Sequence, residues 1–327
     1  MPVDQPGSGD VHVDGLLTNI SVGYANTVYI VEHIFPTVLV AKRSDILPKY
    51  RKSDWFRDEA KELSEREPPP ITGYNVNTSD TYYCREYGIG HFIGDARKAN
   101  TDSPFDADRD GARWVTDKLM LKRERLWVSN FWKTGVWGTD KTGGVDFTKW
   151  SVYATSTPIQ DMRGFARTIR RSIGGLTPNA LVLGDLTFDV LADHPNMLDR
   201  IKYGAGSDAP AMVTPNLIAQ LLGLSKVKIG ISVYTADPEG TTETSVAYTP
   251  NWDDDAWIGY VAPRASLFSP SAGYTFTWRT AFGGPRYIKR RRDPLSDKGD
   301  LIEGFQFMDL KGVADDAGLF MSDAVDA

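Results

Sequence analysis

The stretch DADRDGARWVTDKLMLKRERLWVSNFW, residues 106–132, constrains the fold more than any other part of the chain. It is long, charged and nearly free of helix breakers. Asp106, Asp108 and Asp110 place negative charge at the positive end of a helix dipole, and only Gly111 interrupts a run of good helix formers. At about 100° per residue, Ala112, Val115, Leu119 and Leu126 share one stripe, with Met120, Trp127 and Phe131 beside it. Trp114, Leu121, Val128 and Trp132 gather on a separate side, and Asp117, Lys118, Lys122, Glu124 and Arg125 fill the gaps. A helix of a small monomer buries one stripe, so this one is expected to touch several layers or a neighbouring chain.

With 327 residues the chain can bury a sizeable core and is expected to hold roughly two domains. Its 41% hydrophobic and 24% charged residues are those of a soluble globular protein. Nine tryptophans suit either a thick core, the commoner use, or a contact between chains. A net charge of −6 argues against a dedicated nucleic-acid binder, which would carry a dominant basic face. The single Cys84 excludes an intramolecular disulfide framework, and the N-terminus MPVDQPGSGD lacks a secretory leader, so a reducing cytoplasm is expected. No apolar run approaches the ~20 residues of a membrane span.

Along the chain, TVYIVEHIFPTVLVA reads as a short helix and a strand separated by Pro36, following a Gly- and Asp-rich arm. Residues 45–95 hold the strand-like pieces ILPKY, GYNVN and TYYCREYGIGHFI around a charged, Pro-rich middle, and read as a long two-stranded projection. TPIQDMRGFARTIRRSIGG predicts a second helix with Thr157 as N-cap, Pro158 at the first position and Gly174 and Gly175 at its end. From Leu176, short strands alternate with short helices, and strand signals return from about Ser266, so one domain interrupts another.

Several motifs invite chemistry and fail on inspection. Asp106, Asp108, Asp110, Gly111 and Asp117 match the spacing of a calcium loop, but Pro104 precedes them, Arg113 takes the apolar place and the twelfth residue is not Glu. An acidic helix start is the better reading. GVWGTDKTGG places Asp140 where a phosphate loop needs glycine, and GIGHFIG is one residue too long for a dinucleotide fingerprint; both read as turns or strand glycines. The four histidines show no ligand spacing, and Cys84 reads as a small buried thiol. Asp253, Asp254 and Asp255 read as a solvated loop. The basic run Lys289 to Arg292 is expected to contact another protein rather than nucleic acid, given the total charge.

Taken in order, DWFRDEA, GYNVNTSDTYYCREYG, DADRDGARWVTDKLMLKRERLW followed by TGVWGT, LADHPNMLDRIKYG and PSAGYTFTWR resemble the major capsid proteins of tailed bacteriophages. The resemblance covers roughly residues 35–325, and HPNMLDRIKYG is its most specific element. It implies an α+β chain with the Hong Kong 97-type capsid fold. Residues 1–44 would be an N-terminal arm and anchor strand, 45–95 an extended β-hairpin loop, and 96–175 with 265–327 a peripheral domain carrying the spine helix 106–132. Residues 176–264 would be an axial domain, with a departure from the family pattern at 235–254. No residue matches the covalent cross-links of some members.

The implied function is mechanical: hexamers and pentamers forming an icosahedral head around double-stranded DNA, in a virion assembled in the bacterial cytoplasm, with no catalytic, cofactor or metal residues. Partners implied are further copies of the chain, scaffolding, portal and decoration proteins, and DNA contacted without sequence specificity. Inter-subunit contacts are expected from Trp55, Phe56, Tyr82, Tyr83 and Tyr87 on the projection, Lys118, Lys122 and Arg125 on the spine, and Arg290 and Arg291 in the basic run. Two other readings stay open. One is a nanocompartment shell enclosing enzyme cargo. The other is a cytosolic α+β enzyme or ligand-binding protein, which would need a convergent polar pocket.

Overall fold

The computed structural model describes residues 12–13, 17–18, 21, 28–101, 106–204, 213–264, 270–279, 284–295 and 297–326; the side chains of His12, Val13, Tyr50, Trp55 and residues 201–204 lie outside the description. Much of the expected arm, and the end of the strand signal GYTFTWRTAFG beyond residue 279, fall outside it as well.

The spine helix runs Ala107–Phe131, 25 residues and so about 37 Å long. Asp106 is its N-cap, accepting from the backbone N–H of Asp108 and Arg109. Asp108 pairs with Lys98 at 2.7 Å and Arg290 at 3.3 Å, so the acidic start is engaged by the chain itself. The expected stripe is buried at Ala112, Val115, Leu119, Trp127 and Phe131. Gly111 belongs to it for a steric reason. A Cβ there would stand 2.9 Å from Ile93 Cδ1, so glycine lets the helix lie close on strand Arg85–Gly94.

The sheet beneath the helix has six strands built on Gly299–Gly312. Along one edge of that long strand lies Arg85–Gly94, antiparallel from Gly299↔Gly94 to Met308↔Arg85. The other edge is shared end to end by Arg286–Arg292 and Gly273–Trp278. Thr37–Val40 adds in parallel to Gly273–Trp278 directly after the short helix Val31–Ile34, as Pro36 predicts.

A second sheet has five strands in the order Lys226–Gly230, Ala180–Gly184, Ala256–Gly259, Gly318–Ser322, Thr139–Thr142. Ala180–Gly184, an uninterrupted apolar run, is buried along its whole length, as a strand covered on both faces should be. One face carries Val182, Trp257 and Phe320 in register and meets the C-terminal end of the spine, where Trp127 and Trp137 approach Trp257 and Trp132 approaches Phe320. The helix Pro158–Ser172 packs on the central strands Ala256–Gly259 and Gly318–Ser322 and buries Ile159, Met162, Phe165 and Ile169. It has Pro158 at its first turn and Gly174 and Gly175 with φ of 72° and 92° beyond its end, as expected. Thr157 makes no backbone cap; its hydroxyl meets Asp161 instead. Six of the nine tryptophans are buried, so the rings serve the core.

The division read from sequence assigns residues 139–142 and 318–322 to the peripheral part. Both strands complete the five-stranded sheet, and the two parts share one hydrophobic core. Residues 253–255 also need correction: Asp253 is exposed, but Asp255 is drawn inward, accepts from the Asp323 N–H at 2.8 Å, and burial pushes its carboxyl up to about 7. Asp140 accepts from Gly135 N–H and stabilises a turn. No helix among the described residues is long and apolar enough to cross a membrane.

Candidate assembly surfaces

The projection is a ribbon in which Ser44–Ile46 pairs with Thr81–Tyr83 and Lys49–Tyr50 with Val76–Asn77. Its base belongs to the chain's own core. Tyr82 is 7% exposed and stacks on Phe276 at 4.8 Å, beside Leu47 and Cys84. The expectation that Tyr82 needs a surface from another subunit is therefore wrong: the ring alternates inward where the ribbon crosses the six-stranded sheet. Cys84 is buried and desolvation raises its thiol to about 11, the inert thiol expected.

Beyond the base the character changes. Residues 57–75 contain no helix or strand and are exposed almost throughout, with Ile71 at 98%. Asp54 closes the neck by accepting from Asn75 N–H at 2.8 Å. Phe56 is 59% exposed but its ring lies over Gly174, which has no side chain to block it. Tyr83 is half-exposed under Arg43.

On the spine, each expected contact cation lies over a ring of its own chain: Lys118 over Trp114, Lys122 over Tyr87, and Arg125 over Tyr234 at 3.6 Å. All three remain exposed, and with Trp114 they form a cationic, aromatic surface.

Between these cations lies a polar joint that the sequence pattern does not announce. Glu124, by its position a gap-filling charge, is fully buried and accepts from Ile30 N–H, Val31 N–H, Ser232 Oγ and Trp252 Nε1 at 3.0 to 3.4 Å. Burial raises its carboxyl to about 7 against the opposing pull of these donors. Arg123, also buried, donates to Phe35 O, Thr37 Oγ1 and Thr275 Oγ1. One turn of the spine thus fastens the root of the arm, the six-stranded sheet and the segment leading to the second sheet. A cleft of about 210 Å³ opens beside it, lined by Glu32, Arg123, Glu124 and Arg286 among others. One signal of the joint does exist in the sequence: on the wheel Arg123 falls within the apolar stripe, between Ala112 and Thr116.

The basic run lies in strand Arg286–Arg292; its three arginines have carboxylate partners within the chain, while Lys289 lies over the rings of Tyr287 and Phe305. Arg290 meets Asp108 and Asp300, Arg291 meets Glu303 at 2.7 Å, and Arg292 meets Asp95, Asp297 and Asp300. The expected contact role of Arg290 and Arg291 thus competes with ion pairs already made.

No family model matches the chain. A curated relative, the major capsid protein of Burkholderia phage BcepMu, is 23% identical over 272 residues, covering 80% of this chain and 82% of its own. A phage-related protein from Bordetella bronchiseptica RB50 has a solved structure that matches with a TM-score of 0.74 at 21% identity, covering 96% and 98% of the two chains. The capsid structure of cyanophage P-SCSP1u matches with a TM-score of 0.56 at 12% identity, covering 97% and 92%. The long spine on its sheet, the projecting ribbon and the second sheet, together with these likenesses, identify the chain as a phage major capsid protein with the Hong Kong 97-type fold.

Proposed function

We propose that the chain is the repeating subunit of a tailed-phage head, closing as hexamers and pentamers around double-stranded DNA, with a structural and not an enzymatic role. The observation that carries this is the projection, whose base is locked into the protomer while residues 57–75 reach out with no core of their own. An exposed segment of this length is marginal alone and is stabilised by a surface elsewhere. In this reading the arm, the loop 45–95, the peripheral parts 96–175 and 265–327 and the axial part 176–264 act as the resemblance implies. Phe56, Tyr83, Tyr87, Lys118, Lys122 and Arg125 serve neighbouring subunits, as does Trp55 by its place beside Phe56. Scaffolding, portal and decoration proteins and packaged DNA are its further partners, and the virion its final location. A nanocompartment shell has the same architecture; the phage relative favours the head, and nucleic acid inside purified particles distinguishes the two.

The test is replacement of residues 58–73 by a short Gly-Ser link, which keeps the Asp54–Asn75 neck and the Phe56–Gly174 contact. Circular dichroism and cooperative melting should stay as in the intact chain while electron microscopy finds no closed shells, because even ~1 kcal/mol lost per contact multiplies over a shell. Normal shells from the shortened protein would remove the projection from the assembly contacts.

A further inference from the structure

The helix Pro158–Ser172 turns its apolar face to the five-stranded sheet and shows Arg163, Arg167, Arg170 and Arg171 to solvent. Spaced at i, i+4, i+7 and i+8, they fall within an arc of about 100°. All four are exposed, and among the described residues no carboxylate forms an ion pair with any of them. This differs from the run at Arg290, where every guanidinium has a carboxylate partner.

The opposite charge pattern lies elsewhere. From Lys228 to Arg264 the chain has no basic residue between, and in that stretch the ribbon Val233–Tyr234 with Thr249–Pro250 lifts a loop carrying Asp237, Glu239 and Glu243. Glu239, Glu243 and Tyr248 are exposed, the last at 60%. Asp237 is used locally, accepting from Thr235 Oγ1 and Ala247 N–H, and shapes the loop. The departure from the family pattern expected at 235–254 falls on this segment.

The two surfaces rest on different elements. The ribbon meets the spine, where Arg125 stacks on Tyr234, whereas the arginine helix packs on the strands Ala256–Gly259 and Gly318–Ser322. Among the described residues no ion pair joins them, and a head-to-tail arrangement of copies can bring one against the other at every step and close a ring. We infer that the arginine face of Pro158–Ser172 receives the acidic ribbon loop of the adjacent copy in the capsomer, guanidinium groups pairing with Glu239 and Glu243 and one of them stacking on Tyr248. The inference rests on the shell reading, and it assigns to this acidic loop the selection of register between neighbours.

A charge swap tests it. Arg167→Glu with Arg171→Glu, both exposed and clear of the core, should leave the melting transition in place and lower the fraction of protein in shells by at least ~10-fold. Glu239→Lys with Glu243→Lys should do the same alone, and all four changes together should restore shells. The milder Arg167→Gln with Arg171→Gln pair gives an intermediate loss and serves if the reversed helix melts early. Normal shells from either reversed pair, or no recovery in the combined variant, would overturn the contact. Normal shells holding less nucleic acid would overturn it too, and assign the arginine face to DNA. Wild-type protein in the same preparation separates the two questions: if it forms no shells the head reading itself fails, whereas a failed swap beside wild-type shells removes the contact alone.

Discussion

The pair Arg123 and Glu124 and the run Arg290, Arg291 and Arg292 are both short stretches of dense charge, and they occupy opposite surroundings. The first is buried at the crossing of the arm root, the spine and both sheets, and its hydrogen-bond partners are a backbone carbonyl, backbone N–H groups, hydroxyls and an indole, with Glu32 3.7 Å from the Arg123 guanidinium at the rim. The second lies on a strand where Arg292 is exposed and Arg290 and Arg291 are half-buried, and its partners are carboxylates that keep some contact with water. Removing a buried charge strands its partners without water, while removing an exposed one returns them to solvent. The joint should therefore hold the protomer together and the run should contribute little to its stability.

The largest effect expected is at Arg123. Arg123→Met keeps much of the volume but removes the guanidinium donor shared by Phe35 O, Thr37 Oγ1 and Thr275 Oγ1, and should cost about 3 to 5 kcal/mol in urea unfolding of unassembled protein. A loss below about 1 kcal/mol would erase the contrast. Next is the pH response of Glu124. Its folded carboxyl titrates at about 7 against an ordinary 4.5, so between these values the folded chain holds a proton that the unfolded chain has released. Stability should fall as pH rises through that window and level off above it, by roughly 3 kcal/mol if the whole shift counts. Asp255, also raised to about 7, slopes the same way, so the measurement is the difference in slope between wild type and Glu124→Gln. Equal slopes would show that Glu124 does not titrate in this range. The smallest effect belongs to Arg291→Ala, which breaks the Glu303 pair at the surface and should cost at most about 1 kcal/mol, less in high salt. A cost comparable with Arg123→Met would place the run among the structural joints.

Elements with strong local rules are legible in the sequence itself: the spine and its acidic cap, the Pro-started second helix, the break at Pro36, the ribbon and the buried Cys84. What stays hidden depends on neighbours far along the chain. Glu124 is indistinguishable from a solvent-facing charge until Ile30, Ser232 and Trp252 arrive around it. Tyr82 looks like its neighbours Tyr83 and Tyr87 until the twofold alternation of the strand is set by pairing with Ser44–Ile46. The run at Arg290 resembles a binding patch because its acids, Asp95, Asp108 and Glu303, sit on three other elements. Charge in a sequence states how much, not against what.

In its exposed parts this chain should become stable only as one copy among many. Electron microscopy of purified protein over a concentration series, with light scattering on the same samples, tests this most directly. The expected result is a steep threshold above which uniform closed particles appear and below which capsomers or single subunits remain. A single small oligomer of fixed size at every concentration and salt would contradict it.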